Sequence, residues 1–191
     1  MYPKKDVDLA SILGSLLFSF AFSSFAANAG QTVFKWKGEA IETTIGHDSV
    51  ISKKNGSLIF SLKIETPGDV KIADFNFDGH PGISVPRDHG IEKYYDIYLF
   101  QESSASFKID EKLSELACPE LNEKARAISS SCNHASACEA WKDTYRFEKK
   151  SIVLIRRDGV NCDPNSGEEF RYVEIYKNGR LVKNQSMTLK N

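Results

Sequence analysis

Residues 57–65 read Ser-Leu-Ile-Phe-Ser-Leu-Lys-Ile-Glu and follow directly on Asn55-Gly56. Leu58, Phe60, Leu62 and Ile64 occupy every second position. That period matches a strand with one buried face, since successive strand side chains point to opposite sides. Asn-Gly supplies the two positive φ angles of a tight hairpin turn, so a partner strand must precede it at Val50–Ser52. The same grammar recurs along the chain. Strands are expected at Thr32–Lys37, Ala40–Ile45, Val70–Phe75, Tyr94–Phe100, Ala127–Ser131, Thr144–Phe147, Ile152–Arg156, Phe170–Tyr176 and Leu181–Leu189. Turn signals at Pro67-Gly68-Asp69 and Asn178-Gly179 separate some of them. One short helix is expected near 110–117, where Leu113 and Leu116 share a face and Pro119 ends the run. The reading is all-β: an antiparallel sandwich or barrel-like sheet.

The N-terminus has a different character. Lys4 and Lys5 precede an uncharged, Ser-speckled apolar run from Leu9 to Phe25, and Ala27-Asn28-Ala29 is a small-x-small cleavage site. This pattern predicts a signal peptide over residues 1–29 and a single β domain from Gly30 to Asn191. No later run is long and apolar enough to span a membrane, so no membrane association is expected after cleavage. The expected address is periplasmic or secreted. The formal net charge of the whole chain is −1. The signal segment carries two charges of each sign, so the mature chain keeps that balance. A near-neutral chain argues against a nucleic-acid partner, which selects a basic surface. The Lys53-Lys54, Lys149-Lys150 and Arg156-Arg157 pairs read as solvated strand ends or edges.

Four cysteines, Cys118, Cys132, Cys138 and Cys162, lie in the C-terminal half. An even count in an oxidising compartment predicts two disulfides stapling that half, with three pairings open. No C-x-x-C is present to suggest zinc.

One motif carries ligand chemistry. Asp74, Asn76 and Asp78 stand at positions 1, 3 and 5 of a D-x-N-x-D-G loop, with Gly79 at its sharp turn. Alternate side chains of such a loop turn oxygens toward a hard cation, and the His80 carbonyl falls at position 7. Calcium is the expected ion. Position 12 is Val85, so this is not an EF-hand. The loop is closer to the calcium loops of integrin-type FG-GAP repeats, but their ninth residue, an Asp, is Gly82 here. Asp88, Glu92, Asp96 or water would have to fill that place. The competing reading is an Asx-rich turn that binds nothing. Catalytic signatures are missing: the sequence has no G-x-S-x-G, H-E-x-x-H or Walker loop, and its four histidines are scattered. No enzymatic activity is expected.

The order of motifs carries a resemblance. Asp74–Pro81 (Asp-Phe-Asn-Phe-Asp-Gly-His-Pro) is followed by Tyr95–Phe100, Leu113–Leu116 with Pro119, Ile128–Ser131, Asp143–Arg146 and Leu154–Arg157. Over residues 69–157 this series resembles the periplasmic immunity proteins that neutralise secreted peptidoglycan hydrolases. Their fold is similar to that of invertebrate-type lysozyme inhibitors. The resemblance implies an inhibitor that inserts a loop into a lysozyme-type cleft, with a peptidoglycan hydrolase as protein partner. The best candidate loop joins the strands at 127–131 and 144–147. It offers Ser131, Asn133, His134 and Ser136 as hydrogen-bonding groups and Trp141 as an aromatic anchor, between flanking cysteines. The alternative is a calcium-binding extracellular adhesion or structural module with no inhibitory role. A repeat array would favour it, whereas the sequence has a single such loop.

Overall fold

The computed structural model describes residues 30–65, 69–87, 92–136, 138–148 and 151–188. The signal segment, the Pro67-Gly68 turn, Asp88 and the Lys149-Lys150 pair lie outside them. Among the described residues the chain forms three antiparallel meanders in which every strand pairs with its neighbours in sequence. The first sheet holds β1 (Gln31–Trp36), β2 (Glu39–Ile45), β3 (Ser49–Lys54) and β4 (Ser57–Lys63). The second holds β5 (Lys71–Ala73), β6 (Gly82–Pro86), β7 (Tyr95–Gln101) and β8 (Ser106–Ile109). The helix α1 (Glu111–Ser114) leads to the third sheet: β9 (Pro119–Asn122), β10 (Ala127–His134), β11 (Ala140–Glu148), β12 (Ser151–Cys162), β13 (Glu169–Lys177) and β14 (Arg180–Thr188).

Local chemistry explains the hairpins. Asn55-Gly56 and Asn178-Gly179 both adopt paired positive φ angles, as the β3–β4 and β13–β14 turns require. Lys37-Gly38 does the same between β1 and β2 without an asparagine to announce it. Three strands were not foreseen. β6 begins on Gly82 and ends on Pro86, two residues that normally weaken a strand signal. β8 and β9 are only four residues long. Pro119, read as a helix stop, opens β9, and the first position of an edge strand is one that tolerates proline.

The second sheet is the middle layer. Ile83 and Val85 of β6, Phe100 of β7 and Phe107 of β8 pack with Phe34, Ile41 and Val50 of the first sheet. Ile97 and Leu99 of β7 pack instead with Leu113 and Leu116 of α1 and Ile128 of β10, joined by Tyr145, Phe147 and Ile152. Strand β7 therefore sends alternate side chains into two cores. This explains why Tyr94–Phe100 is dense in apolar residues rather than alternating. Helix α1 is held for this purpose. Its N-cap Asp110 accepts from the Leu113 N–H at 3.0 Å, and the Ile97 N–H donates to Ser114 Oγ at 2.9 Å.

Ile97 is fully buried and Leu181 is about half exposed. Ile97→Ala should destabilise the protein by about 2–5 kcal/mol in urea unfolding, whereas Leu181→Ala should stay within about 0.5 kcal/mol. Equal costs at the two positions would contradict the two-core arrangement.

Candidate functional site

The segment expected as a projecting loop is mostly strand. β10 runs on to His134 and β11 starts at Ala140, so the connection spans only 135–139. Its small polar residues hid the strand period, because neither face of a hairpin tip has to be apolar. The disulfides staple this hairpin twice. Cys118–Cys132 ties β10 to the segment preceding β9, with Cα atoms 5.5 Å apart. Cys138–Cys162 ties the turn to the end of β12, at 5.8 Å.

The five proposed contact residues divide by what they touch. The Asn133 amide donates to the Ser130 carbonyl at 2.9 Å and to the Trp141 carbonyl at 3.4 Å, filling a bulge in β10. Ser136 Oγ accepts from the Cys138 and Glu139 N–H groups at 3.2 and 3.1 Å and so caps the turn. These two side chains hold the hairpin in shape. Ser131 is exposed, 3.5 Å from Glu120. His134 is exposed with Nδ1 3.2 Å from Glu92 Oε1. Trp141 is half-buried, with the Arg157 guanidinium 5.1 Å from its ring centre.

Arg157 is the residue that sequence reasoning placed wrongly. It was read with Arg156 as solvated charge, but neighbours on a strand face opposite ways. Arg156 pairs with Asp158 near the surface. Arg157 turns to the other face and donates twice to Asp143, at 2.7 and 3.0 Å. Asp143 is only 3% exposed, and the Tyr145 hydroxyl donates to it at 3.2 Å. Burial, and then the Asp143 charge, push the Tyr145 phenol up to about 12. The ion pair with Asp143 drives the Arg157 guanidinium above its usual range. An Asp within a strand register facing an Arg pair was the available signal.

The D-x-N-x-D-G loop connects β5 to β6 and straddles both cores. Phe75 and Phe77 enter the second core. The His80 ring sits against Phe34 and Phe100 of the first, at 6.1 and 5.4 Å between centroids. Arg126 donates to the Phe77 carbonyl from across the second core. The loop is closed by its own hydrogen bonds. Asp74 accepts from the Asp78 and Gly79 N–H groups at 3.1 and 2.8 Å, and Asn76 donates to Asp78 at 2.7 Å. Burial, then the nearby Asp78 charge, raise the Asp74 carboxyl above its ordinary value. The side chains expected to complete a cation site are engaged elsewhere. Gly82 lies in β6, where a Cβ would come within 2.8 Å of the Tyr98 carbonyl. Asp96 faces Arg87 at 3.6 Å, and Glu92 accepts from Tyr94 at 3.0 Å. Among the described residues no three His, Cys, Asp or Glu side chains converge as metal ligands. What fits a cation is two carboxylates, the Asn76 amide and the His80 carbonyl.

A groove of about 830 Å³ runs between the edges of β1, β5 and β9. Its Glu120 carboxyl is held below the usual range by a hydrogen bond from Lys142 at 3.0 Å, so it stays ionised at neutral pH.

The Asp143–Tyr145 contact makes a pH prediction. A phenol raised from about 10 to about 12 contributes stability that is complete below pH 10. That stability is lost as pH rises between those two values. In alkaline titration of tyrosinate absorbance the amplitude lost in Tyr145→Phe should come from the latest-titrating part of the curve. Loss of amplitude near pH 10 instead would rule the contact out.

No family model matches this sequence, and no curated protein sequence matches it. The fold is similar to the solved structure of a Xanthomonas type IV secretion system related protein. The two share 15% identity with a TM-score of 0.54, over 86% of this chain and 95% of that chain. At this identity the likeness shows the fold alone.

Proposed function

We propose that this is an exported, periplasmic inhibitor or immunity-type protein that binds a peptidoglycan hydrolase and blocks its cleft. The observation that carries the reading is the double disulfide staple on the β10–β11 hairpin. It holds His134 and Trp141 in place at the end of the third sheet. A binding element held rigid before contact loses little entropy on association, which favours tight inhibition. The aromatic and arginine pair at Trp141 and Arg157 is the composition found at interface hot spots. Three further points support the reading. The N-terminal sequence has signal-peptide character, disulfides belong to oxidising compartments, and the same fold occurs in a protein described as related to type IV secretion. Binding, rather than catalysis, is the proposed activity.

We further propose that Asp74, Asn76 and Asp78 hold a calcium ion whose role is structural. A cation there would relieve the burial of the Asp74 charge beside Asp78 and brace a loop that touches both cores. A calcium-dependent module without inhibitory activity is the second reading, favoured by this same loop.

Protein beginning at Gly30, titrated into a cell-wall lysis assay against lysozymes, lytic transglycosylases and amidases, should inhibit one enzyme stoichiometrically. Replacing His134 and Trp141 together by Ala should raise the inhibition constant by about 30-fold or more while preserving the circular dichroism spectrum. An unchanged constant would remove the hairpin from the mechanism. Calcium should raise the melting temperature over chelator, and Asp74→Ala or Asp78→Ala should abolish that increment. Loss of stability equal in calcium and in chelator would leave only a turn.

A further inference from the structure

The third sheet is covered along only part of its length. The second core ends with Tyr145, Phe147 and Ile152, and no residue of β13 or β14 belongs to either core. Beyond Arg157 one face of β11–β14 carries an ordered pattern. Trp141, Gly159, Tyr172 and Ser186 are paired in one row across the four strands. Asp143, Arg157, Glu174 and Asn184 form the next row. Phe170 and Asn161 are paired on the opposite side of the first row. An open cavity of about 480 Å³ lies over this face.

Three properties of the face select its ligand. The first is a flat aromatic platform. A Cβ on Gly159 would overlap the Tyr172 ring, so the glycine is what allows the ring to lie down on the sheet. Phe170 stands beside it, with ring centroids 6.4 Å apart. The second is a fringe of polar groups with hydrogen-bonding capacity to spare. Asn184 and Ser186 are exposed and make no side-chain hydrogen bond among the described residues. Asn161 and Glu174 each spend one oxygen within the sheet, on the Cys162 N–H and the Tyr176 hydroxyl, and keep further bonding capacity. The third is charge. Arg157 is already satisfied by Asp143, and Glu139 and Glu174 leave the face with an acidic excess. A phosphate, a carboxylate or an acidic peptide would be repelled.

We infer that this face binds a neutral oligosaccharide. Sugar rings present an apolar C–H face to an aromatic platform and hydroxyl groups, each donor and acceptor, to amides and carboxylates at its rim. Aliphatic side chains, which would favour a hydrophobic protein partner, are missing from the lining of this cavity among the described residues. The exposed Met187 is on the other side of β14 by strand alternation. The inference stands independently of the inhibitor reading.

Isothermal titration calorimetry of the full disulfide-bonded protein tests it, with uncharged tetrasaccharides of β-1,4-linked N-acetylglucosamine, β-1,4-linked glucose and α-1,4-linked glucose. At least one should bind saturably, one to one, with a dissociation constant of about 1 mM or tighter. Two variants should each weaken that binding by about tenfold or more. Tyr172→Ala removes the platform. Gly159→Ala keeps every functional group but forces the ring up, and the ring end can swing away without unfolding the sheet. Thermal melts confirm that both variants fold. No saturable binding by any tetrasaccharide, or an affinity in both variants unchanged from the parent, would overturn the inference. Loss of hydrolase inhibition in these variants without sugar binding would also overturn it, assigning the face to a protein partner.

Discussion

Strand β7 is the element on which the rest of the molecule depends. Its backbone is fixed between β6 and β8, and its side chains alternate between two cores. Ile97 and Leu99 hold the third sheet and α1 in place, while Tyr98 and Phe100 hold the first sheet. Each fully buried aliphatic or aromatic side chain contributes about 1.5–3 kcal/mol, so a defect in β7 loosens both layers at once. The neighbouring strand β6 is buried along nearly its whole length for the same reason. Its Gly82 has to be glycine because the Tyr98 backbone and the Phe75 ring approach it closely. One residue thus serves the packing of the middle layer and denies the preceding loop its ninth ligand.

The third sheet carries one face from packing at one end to solvent at the other. At its covered end Tyr145, Phe147 and Ile152 face the middle layer. At its free end Trp141, Tyr172 and Phe170 face solvent in part. Asp143 and Arg157 stand at the border. A buried carboxylate with a bidentate guanidinium and a tyrosine hydroxyl is satisfied without water. That lets the sheet pass from an apolar to a polar environment on a single face. The Cys118–Cys132 disulfide adjoins the second core, next to buried Ala117, whereas Cys138–Cys162 lies at the free end. The value of the second is to replace packing that a projecting sheet does not have.

The residues proposed as contacts from sequence met different fates. Asn133 and Ser136 are consumed by the hairpin itself, since Asn and Ser satisfy backbone groups in bulges and turns more readily than they reach outward. His134 and Trp141 remain presentable. Tyr172, Phe170 and Asn161 escaped notice because they lie some twenty to forty residues downstream and join that face only through strand pairing. The D-x-N-x-D-G motif was fully legible as a string of residues. Whether its carboxylates converge depends on where β6 carries Gly82 and where Asp96 and Glu92 find partners, and no spacing rule contains that.

What the sequence determined by itself was local. Alternation marked strands, Asn-Gly marked the β3–β4 and β13–β14 turns, and an even cysteine count marked two disulfides, because each depends on backbone conformation or simple chemistry within a short window. The antiparallel all-β class followed, since short connections join only neighbouring antiparallel strands. The tertiary structure decided the stacking of the sheets into three layers, the pairing of the cysteines, the ion pair of Arg157 with buried Asp143 and the uncovered half of the last sheet. Those outcomes turn on contacts between residues far apart in the chain, set by which apolar faces find one another in space and not by any pattern within a single segment.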